Sequence, residues 1–166
     1  MNKKKIFVAC DSINISKIKE IIRKTENSKL EVGYKFGLEF LNSKDGRKFI
    51  SKLKNKITFG DYKFADIPNT CASAVKAVKD LNFNYLTIHI NSGLEALKAA
   101  KKAAGNSKLI GVTILTSLDN KSLKEVASFA SIAPAKLTFP APDDPVSIVV
   151  VPLLLKLTPE VLNLIF

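Results

Sequence analysis

Asp61, Lys63 and Asp66 stand close together in the run Lys-Ile-Thr-Phe-Gly-Asp-Tyr-Lys-Phe-Ala-Asp-Ile-Pro-Asn-Thr, residues 56–70. Ile57, Thr58, Phe59 and Tyr62 favour a strand. Side chains two apart on a strand share one face, so Asp61 and Lys63 are expected to meet there. Asp66 follows after the strand should have ended, close to Pro68, which cannot pair inside a sheet. An ammonium held between two carboxylates at a strand end is suited to electrostatic and proton-transfer chemistry. Burying it as mere structure is costly, because each charge must be desolvated. The plain alternative is a surface ion pair, which fits most Asp-x-Lys triplets.

The elements that would position these groups follow from the pattern on either side. Lys5 to Asp11 is a short apolar run ending in an acid and predicts a first strand. Ser12 or Asn14 is placed to cap a helix whose Ile15, Ile18, Ile21 and Ile22 lie on one face. Leu30 to Gly37 predicts a second strand, with Lys35 near its end. A helical segment from Leu38 to Lys54 is interrupted by the turn Lys44-Asp45-Gly46. The third strand is the charged run itself, and Asn69 or Thr70 is expected to start the next helix. Tyr85 to Asn91 predicts a fourth strand, Ser92 a cap for an alanine-rich helix to about Ala104, and Lys108 to Thr116 a fifth strand.

Strands alternating with helices every ~25 residues indicate βαβ units and a parallel sheet. Asp11, Lys35, Asp61, Lys63, His89 and Thr116 all fall at or near C-terminal strand ends. Those ends form the mouth of a (β/α)8 barrel. A doubly wound open sheet is the rival, but no glycine-rich phosphate turn follows the first strand. The expected class is therefore α/β, a (β/α)8 TIM-barrel type that is incomplete, with five βα units and an atypical tail.

The longer run Asp61-x-Lys63-x-x-Asp66-Ile67-Pro68-Asn69-Thr70 resembles the signature of orotidine 5'-phosphate decarboxylase. Related sugar-phosphate decarboxylases share Asp-x-Lys-x-x-Asp but carry a different continuation and use magnesium. The resemblance covers roughly residues 5 to 120. It includes Asp11, Lys35 in Val-Gly-Tyr-Lys-Phe-Gly, His89 in Thr-Ile-His, and Leu115-Thr116-Ser117. It implies conversion of orotidine 5'-phosphate to UMP with no metal and no organic cofactor. Lys35, Asp61, Lys63 and Asp66 would form an alternating charge network. Lys63 would protonate C6 of the pyrimidine after CO2 leaves, and Asp61 would crowd the substrate carboxylate. Asp11 and Lys35 would hold ribose hydroxyls, and Thr116 or Ser117 would face the pyrimidine. Asp66, with Ile67 and Thr70, would reach the site of a neighbouring subunit, so the resemblance implies a homodimer. His89, the one histidine, invites a general-base role, although a hydrogen-bonded residue lining the barrel is the better reading.

Composition narrows the partners. The net charge of +11 comes mostly from lysines at helical spacing, among them Lys44, Lys48 and Lys52, and solvated helix faces account for most of it. No RNA- or DNA-binding motif accompanies the charge, so no nucleic-acid partner is expected. Cys10 and Cys71 stand apart without metal-type spacing and read as free buried thiols in a reducing compartment. Ile6 to Cys10 is too short for a signal peptide and no stretch reaches transmembrane length, so a cytoplasmic protein without membrane contact is expected.

Residues 1–120 thus read as the barrel portion and 121–166 as a distinct tail. The tail has no arginine, no glutamine and no glycine, whereas six of the seven prolines lie in it. The family's phosphate-clamping glutamine and arginine, and the Pro-Gly-Ile-Arg strand end before them, are not matched. A (β/α)8 barrel needs at least ~200 residues. A frameshift or chimeric junction shortly after residue 120 and a natural truncation both fit, and the abrupt composition switch favours the first. Within the tail, Ser147 to Leu157 reads as a buried strand broken at Pro152, and Thr158-Pro159-Glu160 as a helix start. Two other functions stay open: a fragment that only binds nucleotide, and a magnesium-dependent sugar-phosphate decarboxylase.

Overall fold

In the computed structural model, residues 5–26 and 29–132 are described, with side chains as far as residue 126. The run 147–157 and the helix start at 158–160 lie outside them. Five strands, β1 (Lys5–Ala9), β2 (Glu31–Phe36), β3 (Ile57–Phe64), β4 (Tyr85–His89) and β5 (Lys108–Val112), form one sheet. They lie side by side in chain order, every neighbouring pair parallel. Among the described residues β1 and β5 each have one partner strand. The helices are α1 (Ile15–Thr25), α2 (Leu38–Leu41), α3 (Gly46–Ile50), α4 (Pro68–Ala77), α5 (Leu94–Ala104) and α6 (Asn120–Ile132). This is the expected α/β arrangement of five βα units.

The two faces of the sheet differ in chemistry. One face carries Tyr34, Phe36, Leu86, Ile88 and Leu109 into a single core with Ile18 and Ile22 of α1, Phe40 of α2, Ile50 of α3, Val75 of α4 and Leu97 of α5. Burying each such side chain contributes about 1.5–3 kcal/mol. The other face has an aromatic cluster: Phe7 meets Phe59 and Tyr85 edge-on, with ring centroids 5.3 Å apart in both pairs. Gly33 sits beside Phe7, and a Cβ there would come within 2.5 Å of the Phe7 ring, so the missing side chain makes room for it. Two residues further along β3 and β4 stand Asp61 and Thr87. The aromatic cluster is therefore one layer below the charged groups.

Several boundaries differ from the sequence reading. Asn14 does cap α1, accepting from Lys17 N at 3.2 Å. α4 starts at Pro68 with Ile67 as its N-cap, not at Asn69 or Thr70, because proline suits the first helical position. Ser92 lies in a short 3-10 turn, and Gly93 at φ +86° caps α5 instead. β5 stops at Val112, four residues before Thr116, since its partner β4 ends at His89, paired with Val112. α6 is a helix where the sequence reading predicts none: Asp119 Oδ1 accepts from Ser122 N at 2.8 Å, as a helix cap does.

Candidate active site

Lys35, Asp61 and Lys63 come together above the aromatic layer. Asp61 Oδ2 accepts from Lys63 Nζ at 2.8 Å and from Lys35 Nζ at 3.3 Å, so one carboxylate oxygen serves two ammoniums. Asp11, just past β1, lies at the margin, with Oδ1 3.9 Å from Lys35 Nζ. Asp61 Oδ1 accepts from the Thr87 hydroxyl at 3.0 Å. Asp61 is buried, whereas both lysine side chains keep about a third of their surface open. Burial pushes the Asp61 carboxyl up, but the Lys63 and Lys35 ammoniums and the Thr87 hydroxyl outweigh it. The carboxyl is held below the usual carboxylate range.

The backbone at Lys63 is unusual. Its φ of 52° lies in the left-handed region, which costs an L-residue with a Cβ about 1–2 kcal/mol. The β3–β4 register shifts at the same place, from Gly60 opposite Leu86 to Phe64 opposite Ile88. Asp61, Tyr62 and Lys63 therefore share one opposing residue, Thr87. The bulge turns the strand end, and the Lys63 N–H is satisfied by Thr87 Oγ1 at 2.7 Å. Bulges of this kind re-aim side chains at strand ends and beside active sites. Sequence reasoning passed over Thr87, which looks like an ordinary strand threonine. Its place two residues before His89, at the same strand end, was the available signal.

The other expected site residues lie apart from this cluster. Asp66 is exposed beyond β3, its Oδ1 accepting from Ile67 N at 2.7 Å, and no ion pair joins it to Lys63 among the described residues. The alternating network thus closes within this chain only as far as Lys63. Cys71 of α4 donates its thiol hydrogen to the Asp66 carbonyl at 3.1 Å, fixing that turn from below. Ile67 is 65 % exposed, and Thr70 is exposed on the first turn of α4. An open pocket of about 540 Å³ borders this segment, lined by Ala65, Asp66, Ile67, Pro68, Asn91 and Ser92. Thr116 and Ser117 are exposed in a turn beyond β5, closed by Leu118 N donating to Leu115 O at 3.1 Å. Among the described residues no hydrogen bond or ion pair joins them to the lysine–aspartate cluster.

His89 ends β4, half-buried, and its ring has no hydrogen-bond partner among the described residues, unlike the hydrogen-bonded role expected for it. Burial and the Lys63 charge lower its pKa against an opposing pull from Asp61. Cys10 and Cys71 are both free and buried. Burial pushes the Cys10 thiol up to about 11, so it is protonated and unreactive near neutrality. Among the described residues no helix is long and apolar enough to cross a membrane, and no three His, Cys, Asp or Glu side chains gather as a metal site.

The chain is also similar to known proteins in sequence and in fold. The family model described as "Orotidine 5'-phosphate decarboxylase / HUMPS family" matches residues 4–136. That match runs through α6, beyond roughly residues 5 to 120, over which the motifs carry the resemblance. A curated orotidine 5'-phosphate decarboxylase from Wolbachia sp. subsp. Brugia malayi is 44% identical over 96 residues, covering 55% of this chain and 42% of its own length. One from Nostoc sp. is 38% identical over 133 residues, 74% of this chain and 55% of its own. The chain therefore spans about half the length of the curated relatives it matches. Among solved structures, orotidine 5'-phosphate decarboxylase from Lactobacillus acidophilus superposes with a TM-score of 0.66 at 31% identity, covering 76% of this chain and 59% of that one. The Methanocaldococcus jannaschii orotidine 5'-monophosphate decarboxylase, complexed with inhibitor BMP, gives 0.62 at 24% identity over 79% and 61% of the two chains, a likeness of fold.

Proposed function

This chain belongs to the orotidine 5'-phosphate decarboxylase / HUMPS family, and from that premise we propose that it converts orotidine 5'-phosphate to UMP. The observation that carries the proposal is the shared Asp61 Oδ2, 2.8 Å from one ammonium and 3.3 Å from another. In the reaction the bond between C6 of the pyrimidine and its carboxylate breaks and CO2 departs. The electron pair stays on C6. Lys63 stabilises that developing carbanion and gives it a proton, and the resulting amine regains one from water. Asp61, buried and kept anionic, presses like charge on the substrate carboxylate and holds Lys63 at the reacting carbon. Interactions stronger in the transition state than in the ground state accelerate such a step.

Around this centre, Asp11 and Lys35 take the ribose hydroxyls, and Thr116 or Ser117 the pyrimidine edge. Asp66, Ile67 and Thr70 cross to the site of a second copy, so the working form is a homodimer. The exposure of Ile67 and the pocket beside it support that reading. The mechanism calls on no metal or organic cofactor, and the setting is pyrimidine biosynthesis in the cytoplasm.

The chain contains no glutamine, and Arg47 is its last arginine. The family's phosphate clamp is thus unmatched, and remote phosphate binding helps drive chemistry at the reacting carbon. That observation favours a second reading, a chain that binds nucleotide without turning it over. Incubation with orotidine 5'-phosphate in EDTA, following CO2 release and UMP formation, separates the two. UMP formation supports the decarboxylase. Tight binding of UMP without CO2 release supports the binding fragment, and turnover of a keto-sugar phosphate that EDTA abolishes, with none of orotidine 5'-phosphate, points to the magnesium-dependent relatives.

A further inference from the structure

We propose that Thr87 is the positioning residue of the cluster, setting the geometry of both Asp61 and Lys63 through one hydroxyl. The consequence for turnover rests on the decarboxylase reading; the geometry does not. Thr87 is 4 % exposed on β4. Its Oγ1 accepts from Lys63 N at 2.7 Å and donates to Asp61 Oδ1 at 3.0 Å. The direction of both bonds is forced. A backbone N–H can only donate, so the hydroxyl must accept there, and its single hydrogen is left for the carboxylate.

The register explains why a side chain is needed. Between the pairs Gly60–Leu86 and Phe64–Ile88, three residues of β3 face one residue of β4. A regular ladder cannot satisfy the inner N–H of such a bulge, and a buried donor left unpaired is costly. Thr87 Oγ1 takes the place of the absent ladder carbonyl and thereby supports the left-handed backbone at Lys63. On its other side it fixes the rotation of the Asp61 carboxylate. With Oδ1 engaged by Thr87, Oδ2 is the oxygen presented to Lys63 and Lys35. One hydroxyl therefore holds the backbone of the proton donor and the side chain of its partner.

Valine has the shape of threonine without the hydroxyl, and serine keeps the hydroxyl without the methyl. The full chain is made as T87V and T87S and assayed with orotidine 5'-phosphate. T87V is expected to lower kcat by about 30- to 100-fold, as loss of alignment on the ångström scale does, with KM changed less than about threefold. T87S is expected to return kcat to within about threefold of the unaltered chain. A T87V kcat within about twofold of the unaltered chain overturns the proposal, as does a T87S chain as impaired as T87V.

A second readout is independent of turnover. In carbon-13 titrations of the Asp61 carboxyl, which Lys35, Lys63 and His89 face, the midpoint is expected to rise in T87V and to hold in T87S. The Lys63 amide resonance is expected to shift in T87V alone. Unmoved Asp61 and Lys63 signals in T87V overturn the proposal whatever the rates. If the unaltered chain releases no CO2, the decarboxylase reading fails, and these signals alone decide the role of Thr87. Should the valine chain not fold, T87A carries the same comparisons with a smaller side chain.

Discussion

Lys63 Nζ lies 2.8 Å from Asp61 Oδ2, although the backbone of Lys63 has left the extended conformation at φ 52°. The Asp-x-Lys spacing alone would put both side chains on one face of a regular strand. Here the contact is made across a bulge, and the backbone strain is offset by a half-buried hydrogen bond to Thr87. Strain of this sort persists only where the surroundings over-determine it, and such residues cluster at functional sites.

Removing the ammonium tests the assignment most directly. Lys63→Ala is expected to reduce UMP formation by about 10⁴-fold or more, the upper end of what a positioned proton donor contributes. The fold should survive, because the Lys63 side chain is a third exposed and takes no part in the core. The check is CO2 release beside circular dichroism. Near-normal turnover in a folded variant would remove Lys63 from the mechanism.

Asp61→Asn separates charge from shape. The asparagine leaves Lys35 and Lys63 without the carboxylate between them and should destabilise the chain by about 1–3 kcal/mol at pH 7. The sign with pH follows from the depressed carboxyl. Its contribution is complete above the unfolded value near 3.8 and is lost as pH falls through the lower folded value. Urea unfolding of both chains from pH 7 downward should show the gap closing only below about pH 4. A gap that stays constant to the lowest pH would mean the loss is packing, not charge.

How far the sequence foretold all this depends on the range of the interaction concerned. The amphipathic spacing of α1 and its Asn14 cap are local, and both are found. The charged strand end is local too, and Lys35 meets it through parallel pairing of β2 and β3. What escaped needs partners distant in sequence. Lys63 is no glycine or asparagine, so nothing in the string marks its left-handed φ. Thr87 reads as a plain β-former until the register shift puts it opposite three residues. The end of β5 is decided by where β4 stops. α6 does carry a local signal, Asp119 three residues before Ser122, although the composition changes just after residue 120.

Ile67 offers a test of the second copy. With 65 % of its surface exposed, replacing it by Asp should cost the folded chain within about 0.5 kcal/mol. If the Asp66–Thr70 segment docks on a neighbour, a buried aspartate there should shift the chain from dimer to monomer. Sedimentation velocity of both chains is the check, with turnover expected to fall alongside. An Ile67→Asp chain that sediments as the unaltered one does would move the interface elsewhere.

His89 is where two chemistries part. Burial and the neighbouring Lys63 charge hold its pKa below the ordinary histidine value, so the ring is neutral at pH 7 and has no proton to spare. The proposed reaction needs a proton donor at C6, which Lys63 is, and has no proton for a base to remove. His89→Asn should therefore keep kcat within about threefold and leave the pH–rate profile between about pH 6 and 8 flat, since a general acid or base would contribute 10²-fold or more. Loss of turnover by that factor, together with a limb of the profile vanishing in the variant, would transfer the proton-handling role to the imidazole.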